Sequence, residues 1–199
     1  MRIAAHTTVI VGLLGLLLLP GCTYIASGRE TPDSEIGKES SPQSSFVYGF
    51  IDMADADPDL DWVIINRVET GKQPKVYPMR TKDGIFYLEN LPQGSYFVVE
   101  FGGRATNFFS AGTLVAFRPH YFKVGSDIKE YRFKIENPGF YYLGSWKYKP
   151  LPGGLFEDDK YDLIRLKEPD RKGLLTKIME EAKGTPWEAK LRNHLKTVK

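Results

Sequence analysis

Five aspartates, Asp52, Asp55, Asp57, Asp59 and Asp61, fall within ten residues, and carboxylates at that density are the hard oxygen donors that a calcium ion takes from a loop. The EF-hand register tests the idea. With Asp55, Asp57 and Asp59 in the first three ligand positions, the required glycine falls on Leu60 and the bidentate glutamate on Asn66. Both positions fail. The expectation is a solvated acidic loop whose aspartates favour turns and hold no metal, with Asp55, Asp57, Asp59 and Asp61 as the ligands that a non-EF calcium loop would use. Other chemistry is sparse. The sequence has no Gly-x-Ser-x-Gly elbow, no His-Glu-x-x-His and no phosphate-cradling glycine loop. His120 follows Arg118-Pro119 at a turn and His194 lies in a Lys-rich stretch, positions that suit surface histidines better than acid/base catalysts. The residues therefore predict neither an enzyme nor a cofactor. Paired carboxylates for glycoside cleavage meet only in space, which keeps a hydrolase as the third reading.

Cys22 is the single cysteine of the chain and closes the tetrapeptide Leu19-Pro20-Gly21-Cys22. An uncharged run from Thr7 to Leu19, preceded by Arg2, leads into it. That run is shorter than the ~20 apolar residues a spanning helix needs and ends at a Pro-Gly breaker, so it reads as the h-region of a signal peptide over residues 1–21. The tetrapeptide reads as a lipobox, although Pro20 stands where a small or aliphatic residue is commoner. Processing would place diacylglycerol on the Cys22 thiol and leave Cys22 as the first mature residue. Two or more acyl chains make such anchoring stable. With that thiol consumed, disulfides, cysteine nucleophiles and zinc-thiolate sites are excluded. Thr23 follows the cysteine where Asp would favour inner-membrane retention. In enterobacterial lipoproteins, which this segment resembles, that implies the outer membrane, with the domain facing the periplasm.

The chain has 199 residues, with 27 cations against 25 carboxylates, and Arg2 leaves with the leader. Near-neutrality argues against a nucleic-acid partner. Residues 22–45 are rich in Ser, Glu, Gly and Pro and nearly free of large apolar side chains, the composition of a flexible tether with a typical span of ~25 Å and a reach of ~75 Å. From Phe46 the pattern changes to short aromatic and β-branched runs punctuated by turn residues. Strands are predicted at Phe46–Ile51, Trp62–Val68, Val76–Arg80, Ile85–Leu88, Tyr96–Phe101, Leu114–Phe117, Tyr121–Val124, Ile128–Ile135 and Phe140–Trp146, with an edge strand at Leu163–Leu166. The fold class expected is mainly β, an antiparallel β-sandwich over residues 46–169 with a Pro/Gly linker at Pro150–Gly154. A pair of short α-helices over residues 170–199 completes the chain. Asp170 N-caps the first helix, whose stripe is Leu174, Leu175, Ile178, Met179 and Ala182, and Gly184 closes it. Thr185-Pro186-Trp187-Glu188 reads as a capping box that opens the second, with Trp187, Leu191, Leu195 and Val198 on one face. These stripes are expected to be core, with a partner-docking groove as the alternative.

The segment from Thr81 to Val98, with Asp83-Gly84 at a tight turn, Phe86 and Leu88 alternating inward and Pro92-Gln93-Gly94 at the next turn, resembles the hairpin of transthyretin-like, carboxypeptidase-regulatory-like domains. The resemblance spans about Phe46 to Gly103 and implies a fold without an active site. Tyr48 to Met53 with Leu60-Asp61-Trp62, Pro138 to Gly144, and Gly184 to Glu188 also resemble a group of bacterial lipoproteins carrying such a sandwich. That likeness implies an architecture and no activity.

Adjacent aromatics, Phe108 with Phe109 and Tyr141 with Tyr142, point to opposite faces of a strand, and Trp146 and Tyr148 follow nearby. Unless the helices cover them, they would display a binding face. The function expected is a lipid-anchored cell-envelope module, binding or structural, with the membrane and a protein or envelope polymer as partners. The alternative is a periplasmic module for carbohydrate or hydrophobic ligands.

Overall fold

The computed structural model describes residues 44–68, 75–106, 112–117, 123–124, 127–128, 132–152 and 161–198. Strands β1 (Ser45–Asp52), β2 (Trp62–Val68), β3 (Lys75–Lys82), β4 (Ile85–Leu91), β5 (Gly94–Arg104) and β6 (Leu114–Phe117) follow the alternating runs closely. Two-residue strands β7 (Lys123–Val124) and β8 (Asp127–Ile128) pair with each other, and β9 (Arg132–Ile135), β10 (Phe140–Pro150) and β11 (Tyr161–Arg165) complete the set. Of the predicted strand Ile128–Ile135, Ile128 lies in β8 and Arg132–Ile135 form β9, and residues 129–131 lie outside the described residues. Pro150, expected to open a linker, is the last residue of β10. Ser44 and Ser45, expected within the tether, are buried. Ser45 Oγ donates to Asn137 O and accepts from Gly139 N, which fastens β1 to the turn before β10.

The main sheet runs β11-β10-β1-β4-β3-β2-β5-β6, with β9 added on β5. This corrects the antiparallel sandwich in two respects. β1 and β10 are parallel, paired from Phe46↔Phe140 to Asp52↔Lys147, with β2 to β9 forming the long crossover that parallel neighbours require. The two halves are also one continuous sheet. β3 pairs with β2 over Lys75–Met79 and with β4 over Arg80–Lys82, so it carries the ladder from one half to the other. Twist and bulges curl the sheet into a half-barrel; the register slips between Tyr48 and Phe50, Ser45 and Val47, and Ile64 and Ile65. Inside the curl, Val47, Val63, Ile65, Phe101 and Tyr96 are wholly buried. Phe117 of β6 meets Tyr148 of β10 and Tyr161 of β11 with ring centroids 4.8 and 5.5 Å apart, so aromatic side chains join the two ends of the strand order.

Turn chemistry behaves as the sequence implies. Asp83 and Gly84 have φ of 50° and 76°, the doubly positive pair of a tight hairpin. Tyr96 Oη donates to Pro92 O at 2.6 Å and pins the following turn.

The outer face of β1, β4 and β10 is covered by helices α1 (Arg171–Glu181) and α2 (Trp187–Leu195). Asp170 caps α1 as expected, accepting from Gly173 N at 2.8 Å. The second cap is shifted by one residue. Thr185 Oγ1 accepts from Trp187 N, while the Glu188 carboxylate reaches past Thr185 to Gly184 N at 2.8 Å. Leu174, Leu175, Ile178, Trp187 and Leu191 pack on Phe46, Tyr48, Ile85 and Tyr87, and form a second core. The stripes are core except at Met179, which is half-buried outside it, and β1 is buried on both faces because of them.

Candidate functional site

The acidic loop is fixed against β5. Asp61 N donates to Gly102 O, Arg104 N donates to the Asp61 carboxylate at 2.9 Å, and Thr106 Oγ1 donates to Asp57 O. The approach is so close that a Cβ on Gly103 would stand 1.8 Å from Asp59 O. The carboxylates have separate partners. Asp52 accepts from Ala54 N, Asp55 pairs with Lys147 at 3.0 Å, Asp61 binds Arg104 N, and Asp59 is exposed. Among the described residues no three His, Asp or Glu side chains converge as metal ligands. Thermal melts with about 1 mM calcium and with chelator are therefore expected nearly to coincide, since binding at around 10⁻³ M or weaker adds at most about 0.4 kcal/mol at that concentration. A calcium-dependent rise of several degrees, lost in the double variant Asp57→Asn, Asp59→Asn, would contradict this.

Among the described strand aromatics, Tyr141 and Tyr142 are half-buried and Trp146 and Tyr148 are buried. Tyr141 packs toward the inner core and Tyr142 toward the helix-covered face, while Trp146 and Tyr148 are both buried inside the curl. Ring alternation was legible in the sequence; its coverage was not. His194 stacks on Phe140 with centroids 4.1 Å apart. Burial, aided by the Arg171 charge, holds its imidazole below the usual histidine range. Cys22, His120, Phe108 and Phe109 lie outside the described residues.

One titratable group escaped the sequence reading. Glu89 of β4 is 5 % exposed, and neither carboxylate oxygen has a hydrogen-bond partner of good geometry. Arg80 Nε stands 3.8 Å away, yet burial outweighs its charge and raises the Glu89 pKa. The available signal was Ile85 to Leu88, apolar on both strand faces just before Glu89, which marks a strand covered twice. A raised folded pKa gives stability that is complete below the unfolded value, about 4.5, and is lost as pH rises through the folded value. His194 has the opposite sign: its contribution is present above about 6.5 and lost as pH falls through the depressed value. Glu89→Gln is expected to increase stability at neutral pH and remove the decline that sets in as pH rises above about 4.5, read from urea midpoints at several pH values. An unchanged pH profile would contradict the assignment.

No family model matches the chain, and no curated protein matches it. Among solved structures, a crystal structure of (S)-allantoin synthase superposes with a TM-score of 0.28 and 18% identity, over 65% of this chain and 46% of that one. This chain thus spans less than half the length of that protein. A superposition so loose transfers neither fold nor activity. Among the described residues no helix is long and apolar enough to cross a membrane.

Proposed function

We propose that this chain is a lipid-anchored protein of the bacterial cell envelope, held at Cys22 and acting as a binding or structural accessory module without catalytic chemistry of its own. The observation that carries the reading is the placement of the only cysteine directly after a short apolar run and a Leu-Pro-Gly breaker. The Ser/Glu/Pro-rich stretch that follows gives the reach to hold a domain clear of headgroups. Thr23 directs the protein to the outer membrane, with the domain on the periplasmic side. The curled sheet has β11-β10-β1-β4 on one side of its inner core and β2, β5 and β6 on the other. On that basis we read it as a strongly bent relative of the transthyretin-like sandwich. A carbohydrate-binding role is disfavoured, because Trp146 and Tyr148 of β10 are buried and Tyr141 and Tyr142 are half-buried against the two cores.

Fractionation tests the reading. Expressed in a bacterial host, the wild-type chain is expected wholly in the membrane fraction and Cys22→Ser either released or stalled as an unprocessed precursor. Wild-type protein recovered soluble would overturn it.

A further inference from the structure

Net positive charge is concentrated in the helix layer. Residues 170–199 carry eight cations against four carboxylates, whereas residues 46–169 carry sixteen against seventeen. Every cation of residues 170–198 is exposed. The apolar stripes of α1 and α2 are buried on Phe46, Tyr48, Ile85 and Tyr87, so these cations line the outer surface and rim of the layer. All four carboxylates keep their charge, and each is engaged: Asp170 caps α1, Glu180 pairs with Lys183, Glu181 with Lys82 and Glu188 with Arg192. Arg171, Lys172, Lys177, Lys190 and Lys196 have no carboxylate partner among the described residues. The Arg171 charge is felt by His194 in the last turn of α2, so the start of α1 and the end of α2 lie together.

The chain enters the fold beside this layer. Its described part begins at Ser44, and Phe46, two residues on, lies 5.2 Å from the Trp187 ring at the start of α2. The stretch between Cys22 and Ser44 therefore joins the domain at the rim of the helix layer. A flexible chain of that length has a typical span of ~25 Å, against a length of ~16 Å for α1. An anchor at Cys22 would hold the cations within a few Debye lengths of lipid headgroups, a Debye length being ~8 Å at physiological salt. A tether that allows the domain to stand clear of headgroups also allows it to return to them.

We propose that the outer surface of α1 and α2 docks on the anionic lipid surface of the membrane that holds the anchor. The proposal rests on the lipid-anchored reading, because a tether makes the contact intramolecular and lets a modest net charge suffice. Each Lys or Arg brought to an anionic bilayer strengthens partition about fivefold, and the gain fades within a Debye length. Lysines suit such a partner. Headgroups present a diffuse field, which hydrated point charges on flexible stems meet without the fixed mutual geometry that a pocket requires. The remainder of the domain has no excess of cations and gains nothing from the same field, so the helices are the face that turns toward lipid.

The test is lysine acetylation, read residue by residue by mass spectrometry, on full chain purified from a bacterial host. The protein is reconstituted on vesicles of phosphatidylcholine with phosphatidylglycerol, and separately on phosphatidylcholine alone. On the anionic vesicles Lys172, Lys177, Lys190 and Lys196 are expected to react at least about threefold more slowly than on the neutral ones, and raising salt from about 0.05 M to about 0.5 M should remove the difference. Lys75 of β3 and Lys134 of β9, both exposed, should react alike on the two. In the triple variant Lys172→Gln, Lys177→Gln, Lys196→Gln the protection of Lys190 should disappear. The matched triple Lys75→Gln, Arg104→Gln, Lys134→Gln should retain it. If a variant does not fold, the wild-type comparison decides. Equal labelling of the helix lysines on both vesicles, or equal protection of Lys75 and Lys134, would overturn the docking. Protection by soluble polyglutamate and by neither vesicle would assign the face to an acidic polymer and overturn it too. The anchor is read separately. Protein that sediments with phosphatidylcholine vesicles but shows no selective protection refutes the docking and leaves the anchor standing; protein that stays off them yet is protected by anionic vesicles does the reverse.

Discussion

Deletion of residues 170–199 is expected to leave a chain that no longer unfolds cooperatively. The deletion strips α1 and α2 from Phe46, Tyr48, Ile85 and Tyr87, all at most 8 % exposed in the intact protein. Exposing each such side chain costs about 1.5–3 kcal/mol, and the sum is comparable to the 5–15 kcal/mol that holds a typical domain together. A single substitution makes the same point without deletion. Trp187 lies 5.2 Å from the Phe46 ring and 5.9 Å from Phe140, and is wedged between helix and sheet. Trp187→Ala should lower stability by about 3–5 kcal/mol, read as a shift of the urea midpoint at unchanged slope. An equally stable truncated chain would show that the outer face needs no cover.

The second large effect is expected at Gly103. Its missing Cβ makes room for the Asp59 carbonyl, and Asp61 and Thr106 tie the same loop to β5 on either side. Gly103→Ala forces the loop off the strand, so the hydrogen bonds at Gly102 and Arg104 are lost with it. A cost of about 3 kcal/mol or more follows from overpacking against backbone that cannot rotate away. Gly112→Ala is the matched control for space, because nothing lies within 4 Å of its built Cβ; its φ of +83° still carries the usual left-handed strain. Similar melting temperatures for the two variants would remove the loop contact from the account.

Much of the fold was legible. β2 and β6 begin and end where their alternation does, and Asp170 caps α1 as its position before the apolar stripe implies. Pairing direction was not legible, because period-two alternation tells which face a residue takes and nothing of its neighbour's polarity. Hence β1 beside a parallel β10 was unforeseen, as was the bridging role of β3. The covered second face could have been read from Phe46, Val47 and Tyr48, three large side chains in a row on a strand that must then be buried twice. Glu89 becomes visible only once that coverage is accepted. That Arg165 and Arg171 each lie against the Tyr142 ring was beyond sequence reading, since it depends on β10, β11 and α1 meeting in space.

The proposal that this domain works from a lipid anchor is tested most directly at the N-terminus of the mature protein. Intact-mass and peptide mass spectrometry of wild-type chain purified from bacterial membranes should find Cys22 as the first residue, carrying a diacylglyceryl group on its thiol. A mature chain that begins elsewhere, or that carries Cys22 as a free thiol, would contradict it.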